Sequence, residues 1–167
     1  MDIATEYPEL RPCLTGKDIV DVKTITARAD LRTFVARMMS YYPWWLRALY
    51  GVREVLVRLL GLVRHEVQEG MRSYRPDEIP FAPGGRVQVF IVEAAREEAY
   101  WVVTSPPDKH LTAWFGVAVE ALGDGRNRFH VLTTVAYVHW TGPVYYNLIR
   151  PFHHLVVRRM MAAGARD

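Results

Sequence analysis

The strongest constraint on the fold is a turn between two long runs of residues that favour β-strands, 111–122 and 128–140. The turn is Gly-Asp-Gly at 123–125, a composition typical of β-hairpins. Such a short connection allows only antiparallel pairing, because a parallel crossover needs a dozen or more residues. The hairpin leads into a segment at 142–163 whose apolar residues recur at helical spacing. The chain therefore predicts an antiparallel sheet followed by a long C-terminal helix, with a kink at Pro151.

The first third of the chain predicts one strand and two short helices. Residues 17–25 alternate between polar and apolar side chains, which is typical of a strand with one solvated face. Asp30 precedes apolar residues at spacings of three and four, so it is placed to cap the N-terminus of a helix. Pro43 suits the first position of a second helix, and Gly61 suits its end.

The region between these helices and the hairpin is less regular. Residues 64–86 contain three prolines and a glycine pair, which favours a functional loop or flap with room for a short edge strand. Residues 87–93 and 99–104 then predict two more strands joined by a polar turn. With 1–15 as an N-terminal extension, the order of elements describes one α+β domain over 1–167.

Composition places the chain among globular proteins. It has 167 residues, of which 50% are hydrophobic, and a net charge of +3, so a disordered chain is excluded. Cys13 is its single cysteine, so a disulfide-stapled secreted domain is excluded as well. The N-terminus lacks the pattern of a signal peptide, and no apolar run reaches the roughly 20 residues of a membrane span. A cytoplasmic protein without stable membrane insertion is therefore expected.

The charge distribution is uneven. No Asp or Glu occurs between Gly125 and Arg166, so the C-terminal quarter of the chain is basic. This quarter either attracts an anionic ligand or surface, or is the solvated face of a helix. The overall excess of arginine is modest, and we expect no nucleic-acid partner.

Four short stretches, together with the order of the elements, carry a family resemblance. They are 43–47 (Pro-Trp-Trp-Leu-Arg), 108–111 (Asp-Lys-His-Leu), 132–135 (Leu-Thr-Thr-Val) and 142–153, which begins Gly-Pro-Val-Tyr-Tyr-Asn. The chain resembles the helix-grip superfamily of START-like and polyketide-cyclase-like proteins (SRPBCC), and within it an uncharacterised bacterial family of domains of unknown function. This resemblance implies a curved antiparallel sheet wrapped around a long C-terminal helix, with a cavity between them. It transfers no catalytic residue, because the close family has no established activity.

The leading hypothesis is that this cavity binds a hydrophobic or amphipathic small molecule. Apolar side chains would supply affinity through burial, and a few polar groups would orient the ligand. The expected ligand-binding residues are Trp101, His110, Trp114, Thr134, Tyr145, Ile149, Phe152 and His153. The aromatic members of this set are also able to fill the cavity as ordinary core.

Two alternatives are open from the sequence. Asp108 and His110 lie two residues apart at the start of a predicted strand, as an acid–base pair of a cyclase or dehydratase would. Capping of the preceding turn is the other role open to Asp108. The helix at 43–60 combines two tryptophans with arginines, as interfacial helices do, which suits a protein- or membrane-surface module. The outer face of 128–140 is apolar too, so it is either covered by neighbouring residues or forms a homodimer contact.

The histidines do not predict a metal site. His153 and His154 are adjacent, so on a helix their side chains diverge by about 100°, and no histidine pair has i,i+4 spacing. We expect no metal and no cofactor. His154 lies four residues from both Arg150 and Arg158, so the three side chains are predicted to form a basic stripe on the outward face of the helix. His153 is placed to reach a cavity, the sheet or a backbone carbonyl.

Overall fold

The computed structural model describes residues 2–59, 72–106 and 110–166. The α-helices in these ranges are α1 (Ile3–Glu6), α2 (Arg11–Leu14), α3 (Leu31–Met39), α4 (Trp44–Leu59) and α5 (Thr141–Gly164). The strands are β1 (Ile19–Ala27), β2 (Arg86–Val87), β3 (Phe90–Arg96), β4 (Tyr100–Thr104), β5 (Leu111–Ala121) and β6 (Asn127–Tyr137).

The strands form one curved antiparallel sheet with the order β1-β6-β5-β4-β3-β2. The predicted hairpin forms the second and third strands of this order, and β5 and β6 pair along their full length. The connecting turn has positive φ angles at Gly123 (79°) and Gly125 (74°), a conformation that glycine adopts without steric cost. The sheet and the 24-residue helix α5 confirm the predicted α+β helix-grip fold.

The predicted elements form with small shifts of their ends. Asp30 caps α3 as expected, because its Oδ1 accepts a 2.8 Å hydrogen bond from the amide of Thr33. β6 ends before residue 138 rather than at 140. The amides of Val138 and His139 donate instead to the carbonyl of His110, in the turn that leads into α5.

Part of the predicted loop at 64–86 is described. Residues 72–86 contain a 3₁₀ turn at Pro76–Glu78 and run into β2, which lies at the edge of the sheet. Ile79 in this segment is 2% exposed and packs into the core. Residues 64–71 lie outside the described residues. The described part of the loop therefore contributes to the core.

The inner face of the sheet carries the main hydrophobic core. α3 and the C-terminal half of α5 pack against this face and against each other. Phe34 of α3 stacks on Phe129 of β6 with the ring centroids 4.0 Å apart. A Cβ atom at Gly164 would lie 2.9 Å from the ring of Phe34. Glycine at this position therefore allows the end of α5 to approach α3 closely.

The outer face of the sheet is covered by the N-terminal segment, which packs there through Ile3, Tyr7, Leu10 and Cys13. The hydroxyl of Tyr7 donates to the carbonyl of Val119 over 3.1 Å. The segment that the sequence presents as an extension is therefore part of a second core. Of the two roles open for this outer face, coverage by the chain itself is the one that the structure shows.

Candidate functional site

A groove between α4 and α5 is the candidate functional site. It has a volume of about 200 Å³ and is lined by Leu46, Leu49, Tyr50, Val52, Ile149, Phe152, His153 and Val156. All but Tyr50 and His153 are hydrocarbon side chains. The groove forms because both helices carry apolar residues at spacings of three and four, so each presents a stripe to the other.

His153 is the polar group at the base of the groove. Its Nε2 lies 3.3 Å from Oγ1 of Thr133 on β6, so it connects the groove to the sheet. Thr133 is 4% exposed. Burial lowers the pKa of His153 to about 4, and the positive charges of His154 and Lys23 act in the same direction. At neutral pH the groove therefore holds an uncharged imidazole.

A charged cluster lies on the other flank of α5, against the edge strand β1. Nδ1 of His154 is 3.0 Å from Nζ of Lys23 and 3.5 Å from Oδ2 of Asp21. Lys23 and Asp21 also pair directly. His154 is therefore half-buried against β1, whereas Arg150 and Arg158 of the predicted basic stripe are exposed.

Tyr146 is a further buried polar residue within α5. Its side chain is 3% exposed, and its hydroxyl has no hydrogen-bond partner among the residues described. Burial raises the pKa of this hydroxyl, with a smaller contribution from the Asp21 carboxylate. Tyr146 does not line the groove. A buried hydroxyl without a partner is costly, so this position is able to accept one more polar contact.

Three of the expected ligand-binding residues meet in the groove: Ile149, Phe152 and His153. Tyr145 lies beside them, 7% exposed, in a small apolar cluster with Leu111 and Ile149. The middle of α5, residues 149–156, is therefore the part of the helix that borders the groove.

Trp101, Trp114 and Thr134 lie elsewhere. Trp101 is 0% exposed in the inner core, where its Nε1 donates to the carbonyl of Pro80 over 2.9 Å. Trp114 and Thr134 lie on the outer face. The hydroxyl of Thr134 donates to the carbonyl of Cys13 over 2.7 Å, and Nζ of Lys17 lies 3.8 Å above the ring of Trp114. None of the three lines the described groove.

Of the predicted acid–base pair, Asp108 and His110, only His110 is among the residues that the structure describes. His110 places its Nδ1 2.5 Å from Oγ1 of Thr141 at the start of α5, and the same hydroxyl lies 3.1 Å from Nδ1 of His139. His110 does not line the groove. Asp108 lies outside the described residues, so its pairing with His110 stays a prediction. Within 2–59, 72–106 and 110–166, no three His, Cys, Asp or Glu side chains converge as metal ligands would.

Sequence reasoning missed Thr133 and the α4 wall of the groove. The alternation along β6 could have identified Thr133, because it shares a face with Val131 and Val135 while Thr134 points the other way. The apolar stripe of α4 is visible in the sequence but is equally typical of a helix buried against a sheet. Its use as a groove wall depends on where α5 lies.

The buried His153 predicts how stability depends on pH. The imidazole binds a proton near pH 6.5 in the unfolded chain but only near pH 4 in the folded protein. Between these values the unfolded state holds the additional proton, so the free energy of unfolding falls as the pH falls from 6.5 to 4. The expected loss is about 3 kcal/mol, at roughly 1.4 kcal/mol for each pH unit, and urea denaturation across this range measures it.

The substitution His153→Gln should remove most of this slope, because glutamine keeps a polar side chain near Thr133 but does not titrate. The matched control is His139→Gln, at an exposed histidine in the β6–α5 connection. An equal loss of stability in the wild type and in His153→Gln would show that another group is responsible.

The strand order and the long helix α5 are those of a helix-grip protein. The apolar groove beside α5 is a surface site large enough for a small ligand. The chain belongs to the family described as "Protein of unknown function (DUF2867)", which it matches over residues 13–160. No protein with a curated function matches the chain at a significant level.

Three solved structures are similar to this chain at low sequence identity. Ara h 8.0201 is 12% identical with a TM-score of 0.42, covering 87% of this chain and 97% of its own. The hypothetical protein jhp0584 from Helicobacter pylori is 11% identical with a TM-score of 0.46, covering 96% and 95%. The Mll3558 protein from Rhizobium loti is 13% identical with a TM-score of 0.41, covering 87% and 97%.

Proposed function

We propose that the protein binds a hydrophobic or amphipathic small molecule in the groove between α4 and α5. The observation that carries this proposal is a groove of about 200 Å³ whose described lining is apolar apart from Tyr50 and the uncharged imidazole of His153. Ligand sites typically combine apolar walls with a few polar groups that fix orientation. The site lies between two helices, whereas the resemblance implies a cavity between sheet and helix.

The chemistry of the groove favours a particular kind of ligand. Its walls suit a short alkyl chain, whose burial would supply about 25 cal/mol per Å² of apolar surface. His153 and Thr133 offer a hydrogen bond but no charge at neutral pH. Because an unpaired carboxylate is costly to bury, an alcohol or a carbonyl oxygen fits this end of the groove better than a free acid.

Titration calorimetry with 1-decanol tests the proposal, with decanoate as the charged comparison. We expect 1-decanol to bind the wild type more tightly than decanoate does. Val156→Trp fills the groove and should weaken 1-decanol binding at least about tenfold, a change of roughly 1.4 kcal/mol. The matched control is Ala162→Trp, at an exposed position of the same helix outside the groove.

Thermal unfolding of each variant shows whether it is folded. Absence of 1-decanol binding to the wild type would overturn the proposal. Equal binding by folded Val156→Trp and Ala162→Trp would show that the ligand lies elsewhere.

Catalysis is not proposed for this groove. The cyclase or dehydratase alternative depends on Asp108 and His110, and His110 hydrogen-bonds to Thr141 outside the groove. Among the described residues, the polar groups at the groove are His153, with Thr133 behind it, and Tyr50. Binding is therefore the function that this geometry supports best.

A further inference from the structure

The outward face of α5 is unusually apolar. Val144, Leu148, Phe152 and Leu155 are each about half exposed (51%, 47%, 51% and 45%). Their spacing of four, four and three residues places them on one face of the helix. A surface helix of a globular protein normally presents charged or polar residues there. Since the opposite face of α5 meets the sheet and α3, the helix has two apolar sides.

α4 presents a second exposed apolar face beside the first. Trp44, Val52 and Val55 are 80%, 56% and 55% exposed, and they fall within one side of the helix. Val52 and Phe152 both line the groove, so the outward faces of α4 and α5 adjoin along it. Together these residues form one apolar surface, which we call the α4–α5 face.

Positive charge borders the α4–α5 face. Arg158 and Arg159 of α5 and Arg47 of α4 are exposed. α5 contains no acidic residue, and the sequence of α4 contains a single one. Trp140, which is 73% exposed, stands at the start of α5. Apolar side chains, tryptophans and bordering arginines together are typical of helices that lie in the interface of an anionic membrane.

We propose that the α4–α5 face docks on the surface of an anionic lipid bilayer, with both helices lying in the plane of the interface. Phosphate headgroups complement the bordering arginines, and the exposed Val, Leu, Phe and Trp side chains enter the boundary with the acyl chains. None of the described helices has the length and apolar content needed to cross the bilayer. The contact is therefore peripheral and reversible.

A second copy of this chain is a less suitable partner for the same face. In a twofold dimer the same patch is used by both subunits, so the arginines that border one copy would approach those of the other. That repulsion is absent when the opposing surface is a layer of phosphates.

Flotation with liposomes tests the proposal. We expect the wild type to float with vesicles containing about 30% phosphatidylglycerol in phosphatidylcholine, and to bind pure phosphatidylcholine vesicles at least tenfold more weakly. Raising the salt concentration should weaken the binding, because screening reduces the attraction between arginines and headgroups.

The double substitution Leu148→Glu and Leu155→Glu places two acids on the face without touching the groove, and should reduce vesicle binding at least about tenfold. The matched control is Val20→Glu with Val22→Glu, at exposed valines of β1 (50% and 43%). 1-Decanol binding should persist in the first variant, so loss of docking is distinguishable from failure of the groove.

Two kinds of outcome would overturn the docking proposal. One is a wild-type protein that does not float with anionic vesicles, or a Leu148→Glu/Leu155→Glu variant that floats as well as the valine control. The other is a wild-type dimer in sedimentation that becomes a monomer in this variant, because a second copy would then occupy the face.

Discussion

The substitution Trp101→Ala is expected to lower the free energy of unfolding by about 4–5 kcal/mol, the largest single effect that this structure predicts. Trp101 is 0% exposed and is the bulkiest fully buried side chain among the described residues. Its removal leaves a cavity in the inner core and leaves the carbonyl of Pro80 without the indole donor. Urea denaturation of the purified variant measures the loss.

A matched control for this experiment is Trp44→Ala. Trp44 is 80% exposed at the start of α4, so its loss should change the free energy of unfolding by no more than about 0.5 kcal/mol. If Trp101→Ala kept wild-type stability but lost 1-decanol binding, Trp101 would be a ligand contact, as the sequence suggests, rather than a core residue.

The substitution Leu10→Ala is expected to lower the free energy of unfolding by about 3–4 kcal/mol. Leu10 is 0% exposed and belongs to the cluster that joins the N-terminal segment to the outer face of the sheet. Truncation removes apolar contacts with this face and leaves a cavity that the short surrounding helices fill only in part. Chemical denaturation again provides the measurement.

Glu6→Ala serves as the control in the same segment, because Glu6 is exposed. Its effect should stay within about 0.5 kcal/mol. A Leu10→Ala protein as stable as Glu6→Ala would mean that the segment does not pack on the sheet in solution. The apolar outer face of the sheet would then have to be buried by another surface, such as a homodimer contact.

The two halves of α5 have different surroundings. The C-terminal half packs through Val157, Met161 and Gly164 against α3 and the inner core. Residues 144–156 carry the side chains that line the groove on one side and the exposed α4–α5 face on another. Substitutions at Val157, Met161 or Gly164 are therefore expected to affect stability, whereas those at Leu148 and Leu155 affect contacts with other molecules.

The sequence alone determined the parts of the fold that depend on local physics. The turn at 123–125 fixed an antiparallel hairpin because few residues besides glycine adopt positive φ without strain. Asp30 fixed the start of α3 because a carboxylate satisfies amides that a helix leaves unpaired. The helical period after residue 141 identified α5 and, through it, Ile149, Phe152 and His153 as neighbours.

Only the tertiary structure decided which part of the protein each side of a strand or helix contacts. Thr133 and Thr134 are adjacent, yet one reaches His153 and the other the N-terminal segment, because alternate residues of a strand face opposite sides of the sheet. An apolar side chain carries the same signal whether it lines a groove or fills a core. Trp101 lies in the core and Phe152 lines the groove because of where segments distant in the sequence pack. Local sequence patterns do not predict such long-range contacts.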